Sequence, residues 1–171
     1  MLTTVELQKI PSHFLRYVEH VRTLDFIDAL SESSARMQEF LRTVPEAKGT
    51  YRYADGKWSV KEVLTHLMDA ERIFAYRALR FARNDKTELH GFEEDDYAPE
   101  ANAHARTIKQ LSDEMIRLRA TSIDLFASLT PEMLERSGKA SNNEILVKVY
   151  AYMIGGHEMH HLSIFKERYM K

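Results

Sequence analysis

The chain of 171 residues contains no cysteine. Disulfide bonds, thiolate zinc sites and a cysteine nucleophile are therefore excluded, and a reducing compartment is favoured. Glycine and proline are also scarce, with 6 and 4 residues, whereas an all-β domain needs many turn residues. Long helices joined by a few loops are the natural alternative.

Neither sign of charge is in large excess, since 24 Lys and Arg stand against 26 Asp and Glu. This balance gives no general attraction to nucleic acid or anionic lipid, and no basic run is interleaved with aromatic residues. No apolar run approaches the roughly 20 residues of a membrane span, and residues 1–9 lack the pattern of a secretory signal. We therefore expect a cytoplasmic protein that binds neither nucleic acid nor membrane.

The length of the chain and its 44% apolar content suit one domain with one core over residues 1–171. Apolar residues at helical spacing predict an all-α fold, a bundle of four long helices with short helices beside it. The long helices are predicted over residues 24–42, 59–81, 103–129 and 143–169. Residues 1–10 are predicted to be a loose leader, and short helices are predicted after Pro11 and Thr130.

Capping signals support several of these boundaries. Thr23 is predicted to cap the first long helix. Ser59 and Glu62 have the spacing of a capping box at the start of the second, and residues 141–144 repeat that spacing before the last. Residues 85–100 are predicted to be irregular.

The last helix carries the most informative motif, Gly155–His161. Its inward apolar stripe continues onto His157 and His161, which are four residues apart and so share one helix face. His66 lies on the inward face of the second long helix. Neutral imidazole is a common ligand of zinc, nickel or iron, and three protein ligands with an open fourth position are typical of catalytic zinc. The spacing predicts a metal ion on these three histidines.

Two neighbours on the last helix compete for roles in this site. His160 is rotated about 60° from His157, against about 40° for His161, so we place His160 beside the site or at the surface. The segment also matches the H-E-x-x-H signature of zinc proteases, but no strands are predicted to form a peptide cleft. Glu158 is a candidate catalytic base or orienting residue, although a solvent-facing glutamate is the preferred interpretation.

The predicted irregular segment contains an acidic run between two aromatic residues. The preferred interpretation is a solvated loop, and the alternative is a lid that brings a carboxylate near the open metal position. The acidic residues are Glu93, Glu94, Asp95 and Asp96. Aromatic residues near the second helix either cover one end of the bundle, which is preferred, or wall a pocket; they are Tyr51, Tyr53 and Trp58.

Two stretches together resemble the DinB/YfiT-like proteins. Residues 58–67 resemble the start of their second helix, and residues 156–161 resemble the motif of their last helix. The likeness runs from about Tyr51 to the C-terminus and includes residues 73–77 and 91–93.

The resemblance implies a four-helix bundle with one long crossover, a homodimer, and a divalent metal on His66, His157 and His161. Zinc or nickel are the metals we expect, with iron as an alternative. Family members are described as metal-dependent hydrolases, and relatives are transferases or isomerases that use bacillithiol, mycothiol or glutathione. The predicted function is therefore metal-dependent hydrolysis of a small molecule, or transfer of a low-molecular-weight thiol to an electrophile. A non-catalytic protein braced by its metal is the alternative.

Overall fold

The computed structural model describes residues 1–8 and 10–170, and its helices dominate the described part of the chain. The α-helices and the two strands, in chain order, are α1 (Thr4–Gln8), α2 (Ser12–Val18), α3 (Phe26–Leu41), α4 (Val60–Ala82), α5 (Glu94–Glu100), α6 (Ile108–Ala127), α7 (Pro131–Leu134), β1 (Ser137–Ala140), β2 (Asn143–Leu146) and α8 (Val147–Ile164). Short 3₁₀ turns occur at Glu46–Lys48 and Ala103–Ala105, and a π-helical turn, Phe165–Tyr169, follows α8.

The four long helices α3, α4, α6 and α8 form a bundle, as the apolar periodicity predicts. Helix α8 packs against α2, α3 and α4, and α6 packs against α3 and α4. Because α8 has neighbours on most sides, nearly all of its residues from Val147 to Glu158 are buried. The predicted all-α four-helix bundle with additional short helices is confirmed.

Two apolar clusters fill the bundle. One is centred on Leu30, Phe126 and Tyr150, and the other on Leu64 and Phe165, all almost completely buried. At about 25 cal/mol per Å² of apolar surface, each such side chain contributes roughly 1.5–3 kcal/mol of transfer free energy. This packing fixes how α4 and α8 face each other, and the site described below lies between these two helices.

The glycine pair in α8 allows two neighbouring helices to approach closely. A Cβ added to Gly155 would lie 2.6 Å from the carbonyl oxygen of Ala29 in α3. A Cβ added to Gly156 would lie 2.1 Å from the carbonyl oxygen of Tyr17 in α2. Both glycines therefore permit backbone contacts that any larger residue would block.

Two helix starts differ from the predicted positions. Asp25, not Thr23, caps α3, because its side chain accepts a hydrogen bond from the amide of Ile27. Helix α6 begins at Ile108 instead of Ala103, because Thr107 and Gln110 form a complete capping box there. The predicted capping box of Ser59 and Glu62 is present at the start of α4.

The predicted helix start over residues 141–144 is wrong. These residues belong to an antiparallel hairpin in which Ala140 pairs with Asn143 and Ser137 pairs with Leu146. Ser141 and Asn142 form its turn with φ values of 50° and 63°, and two positive φ values in succession match the twist of a tight hairpin. The last helix begins only at Val147.

Two further segments have more structure than the sequence predicts. Residues 85–100 include helix α5, whose first turn contains three acidic residues that interact favourably with a helix N-terminus. In the segment predicted as a loose leader, Thr4–Gln8 is helical, and Leu2 and Ile10 are buried against the core.

No helix in the described ranges combines the length and the apolar character that crossing a membrane requires.

Candidate metal centre

The structure brings together His66, His157 and His161, the three histidines that the sequence singles out. His66 comes from the second turn of α4, and the other two lie one turn apart on α8. The Nε2 atom of His157 lies 3.2 Å from Nε2 of His66 and 3.1 Å from Nε2 of His161. One nitrogen from each ring lies within 4.8 Å of the other two. The three Nε2 atoms therefore converge on one point.

These distances and the chemistry of the three donors fit a divalent ion. A neutral imidazole has a single N–H and a single nitrogen lone pair, so Nε2 of His157 cannot hydrogen-bond well to both partners at once. Two nitrogens at 2.0–2.1 Å from a tetrahedral zinc ion stand about 3.3 Å apart. The separations from His157 are close to that value, so the cluster can hold zinc or a similar cation.

Burial keeps the three rings neutral, which is the form that binds a metal. Removal from water lowers the pKa of His66 to about 4, although Glu94 and Asp95 act in the opposite direction. Burial also lowers the pKa of His161 to about 3, with His66 contributing. The pKa of His157 is lowered as well, first by burial and then by the neighbouring histidines. No proton has to leave these rings at pH 7 before a cation binds.

Aromatic side chains enclose the three histidines. The ring of Trp58 packs on His66 with 4.7 Å between centroids, and the ring of Tyr17 packs on His157 with 4.9 Å. Phe74 lies edge-on to His157 at 6.5 Å. These contacts hold the imidazoles in place.

Cavities adjoin the cluster on two sides. His66 and His157 line a cavity of about 370 Å³ with residues of α2, α4 and the segment before α5. His161 lines a second cavity of about 260 Å³ with Tyr53 and Trp58. Tyr53 and Trp58 thus wall a pocket, as the alternative interpretation states. Tyr51 lines neither cavity, and both tyrosines pack on Tyr169. The cluster is open to small molecules from two directions.

The acidic run lies beside these cavities and is solvent-exposed, as the preferred interpretation states, but it is not a loop, since all but Glu93 lie in helix α5. Glu93 and Glu94 line the larger cavity and Asp95 lines the smaller one. Asp96 lines a separate surface cavity between α4 and α5. Three of the four carboxylates therefore lie near the cavities of the histidine cluster, as the lid interpretation requires.

His160 and Glu158, the other candidate site residues of α8, lie outside the histidine cluster. His160 is half-buried and packs near Tyr17 and His20, with ring centroids 5.0 Å and 6.1 Å away. Glu158 is 4% exposed, so its interpretation as a solvent-facing residue is wrong. Its carboxylate accepts a hydrogen bond from Arg119 at 2.8 Å.

Several residues near the cluster were not predicted from the sequence. Helix α2 supplies Phe14, Arg16 and Tyr17 to the larger cavity, and Arg77 of α4 and Ser141 of the hairpin also line it. The only local signal was the glycine pair, which indicates close approach of a neighbouring element but does not identify α2. These side chains converge from distant parts of the chain, which periodicity alone cannot reveal.

Comparison with known proteins agrees with the fold and the motif. A family model described as the DinB superfamily matches residues 29–165. Among solved structures, the chain is similar to YfiT from Bacillus subtilis, described as a probable metal-dependent hydrolase with an unusual four-helix bundle topology. The TM-score is 0.74 and the identity 16%, and the match covers 98% of this chain and 87% of that one. No curated protein matches the chain.

The matched residues include α4 and α8 whole and so contain all three clustered histidines. The family model spans most of the chain, and the bundle agrees with that of a solved structure along almost its full length. This chain is therefore a member of the DinB superfamily.

Proposed function

We propose that this protein is a metal-dependent enzyme that acts on small molecules, with a divalent ion held by His66, His157 and His161. The observation that carries the proposal is the convergence of three Nε2 atoms between two cavities. Zinc or nickel are the preferred ions and iron is the alternative, since imidazole suits all three. The description of YfiT as a probable metal-dependent hydrolase supports the proposal.

A bound ion of this kind supplies Lewis acidity toward water or a polar substrate atom. The chain's own residues supply the setting for that chemistry. Burial keeps His66 and His161 neutral and ready to bind, and Trp58 and Tyr17 pack on the rings and hold them in place. Glu94 lines the larger cavity and carries an exposed carboxylate, so it is placed to accept a proton during hydrolysis.

Transfer of a low-molecular-weight thiol to an electrophile is the second candidate, and the paired cavities favour it. One cavity contains His66 and His157 in its wall and the other contains His161. A two-substrate reaction needs two such spaces beside one cation, whereas hydrolysis needs only one. The chain has no cysteine of its own, so the thiol would come from the cofactor.

The first test is elemental analysis of protein purified without an affinity tag. We expect about one divalent ion per chain in the wild type and its loss in His157→Ala, with unchanged circular dichroism. His160→Ala is the matched control on the same helix and should keep the ion. No ion in the wild type after addition of zinc or nickel would contradict the proposal, and loss in His160→Ala would contradict the assigned ligands.

Activity separates the two reactions. If the protein is a hydrolase, the metal-loaded form should cleave members of an ester and amide panel without added thiol. If it is a transferase, it should join an added thiol to an added electrophile. Glu94→Gln should slow hydrolysis more than thiol transfer, because only hydrolysis uses its carboxylate in this scheme. Turnover equal to that of metal-free protein in both assays would favour a non-catalytic role.

A non-catalytic, metal-braced protein makes a different prediction for stability. Removal of a structural ion should lower the melting temperature sharply, whereas an enzyme with a preformed apolar core should remain folded. The homodimer and the cytoplasmic location remain predictions, which sedimentation and cell fractionation can test.

A further inference from the structure

The larger cavity extends along α4 from His66 to Arg77. These residues are eleven positions apart, which is about 16 Å of helix axis and three full turns, so both lie on one face. Both residues line the same cavity. An elongated small molecule could therefore touch both ends.

Arg77 is a buried cation without a carboxylate partner. It is only 4% exposed, and its Nη2 atom donates to the carbonyl oxygen of His90 at 2.8 Å and to Oγ of Ser141 at 3.0 Å. Both acceptors are neutral, and no ion pair to Arg77 occurs among residues 1–8 and 10–170. Its Nε and Nη1 atoms donate to no acceptor within these ranges.

The other buried cations of the described chain are paired. Arg119 binds the carboxylates of Glu71 and Glu158, and Lys61 binds Glu46. Burial of an uncompensated charge costs free energy, and burial lowers the pKa of Arg77 accordingly. Arg77 is thus an exception, and it lies in the wall of the cavity that contains two of the clustered histidines.

The cavity has an apolar component between these two ends. Ala70 and Phe74 lie between His66 and Arg77 on α4 and line the cavity, as do Phe14 and Phe92. Glu94 lies at the histidine end of the cavity, since its negative charge acts to raise the pKa of His66. Glu93 also lines the cavity, but neither carboxylate forms an ion pair with Arg77 within the described ranges, so this end offers a positive charge and hydrogen-bond donors to a ligand.

We propose that Arg77 binds the anionic end, a carboxylate or a phosphate, of an elongated substrate or cofactor whose apolar middle fills the cavity. This inference rests on the proposed function, which places the opposite, reactive end at the three histidines. A guanidinium suits both anions, because its fork of N–H donors matches their paired oxygens. The cavity of about 370 Å³ has the size of a small-molecule site.

The test uses three probes that share an alkyl thiol and differ at the other end: mercaptooctanoic acid, mercaptooctyl phosphate and mercaptooctanol. Calorimetric titration of metal-free protein measures the affinity for each. We expect the acid or the phosphate to bind at least about tenfold more tightly than the alcohol, as one charged hydrogen-bonded contact predicts. Whichever anion is preferred identifies the natural end group.

Matched variants assign the preference to Arg77. Arg77→Gln should abolish it, and Arg77→Lys should keep part of it. Ser141→Ala removes one hydrogen bond of Arg77 but not the charge, and Arg16→Gln removes the other arginine of the cavity; both should keep the preference. Loss of the preference in Arg16→Gln, or its survival in Arg77→Gln, would overturn the proposal.

Equal affinity of the wild type for all three probes would also overturn the proposal. This measurement needs no variant, so the test remains decisive if a variant fails to fold. Cobalt-loaded protein reports on the histidine end separately, through the near-ultraviolet absorption of a thiol sulfur bound to cobalt. An anion preference without cobalt binding would refute the metal site and leave the Arg77 site standing. Cobalt and thiol binding without any anion preference would refute the Arg77 site and leave the metal site standing.

Discussion

At the scale of single residues, the histidine cluster shows how burial prepares a metal site. Imidazoles in water are partly protonated near pH 6.5, and three close cations would repel one another. Burial lowers the pKa of each ring in the cluster, so the lone pairs are available across the physiological range. The same shift makes the stability of the metal-free protein depend on pH.

The free energy of unfolding of metal-free protein should fall as the pH decreases below about 6.5. The unfolded chain binds protons on these histidines from pH 6.5 downward. The folded chain binds them only near the lowered pKa values, about 4 for His66 and about 3 for His161. The contribution of these histidines to the free energy of unfolding is therefore fully present above pH 6.5. As the pH falls below that value, it declines by roughly 1.4 kcal/mol per pH unit for each such group. Urea denaturation at pH 7.5 and pH 5 measures the difference.

Variants show whether the clustered rings cause this dependence. His161→Gln removes one titrating ring and should reduce the difference between the two pH values by on the order of 2 kcal/mol. His90→Gln, an exposed histidine outside the cluster, should leave it unchanged. An equal pH dependence in wild type and His161→Gln would contradict the assignment of the lowered pKa to this ring.

At the scale of helices, the glycine pair of α8 decides how closely α2 and α3 approach. Glycine inside a helix costs about 1 kcal/mol relative to alanine, so replacement by alanine would stabilise an isolated helix. In the folded protein, however, a Cβ on Gly156 would collide with the backbone of Tyr17. Backbone cannot rotate away as a flexible side chain can, so the steric cost exceeds the gain in helix propensity.

Gly156→Ala should therefore destabilise the protein by about 1–3 kcal/mol, the usual cost of overpacking. It should also separate Tyr17 from His157, which now lie 4.9 Å apart between ring centroids. Urea denaturation measures the first effect and metal affinity the second. Ala120→Gly, at an exposed position of α6, measures the difference in helix propensity between alanine and glycine where no steric clash contributes. A more stable Gly156→Ala variant would refute the close approach.

The same elements show what the sequence could and could not predict. The four helices and the face shared by His157 and His161 follow from periodicity, because burial of one stripe is a local property of the chain. The hairpin was missed because residues 141–144 satisfy a local capping pattern, whereas the pairing of Ser137 with Leu146 is a tertiary contact. The positions of Arg77 and of the predicted helix α2 beside the histidine cluster were missed for the same reason.

At the scale of the whole molecule, one buried ionic network joins the four long helices. Arg119 of α6 donates to Glu71 of α4 at 2.9 Å and 3.0 Å and to Glu158 of α8 at 2.8 Å. It also donates to Oγ of Ser33 and the carbonyl oxygen of Leu30 in α3. Burial raises the pKa of Glu158, while the Arg119 charge opposes that rise. Glu158 therefore pairs with Arg119 inside the bundle and is not part of the histidine cluster.

Arg119→Met should destabilise the protein by about 3–5 kcal/mol, because two buried carboxylates would lose their only shared cation. Arg117→Met, two residues away and exposed, should change stability by less than about 0.5 kcal/mol. The triple variant Arg119→Met, Glu71→Leu and Glu158→Met should recover most of the loss, since a well-packed apolar replacement of a buried ionic network is often neutral or stabilising. Urea denaturation of all three measures these differences.

The triple variant also separates stability from helix orientation. If the network only stabilises, the recovered protein should bind zinc as tightly as the wild type. If the network fixes the rotation of α8, the recovered protein should bind zinc more weakly, because His157 is adjacent to Glu158 on that helix. We expect the weaker binding, since apolar contacts are non-directional whereas the Arg119 hydrogen bonds hold Glu158 in one direction. Wild-type zinc affinity in a fully stable triple variant would contradict this orienting role.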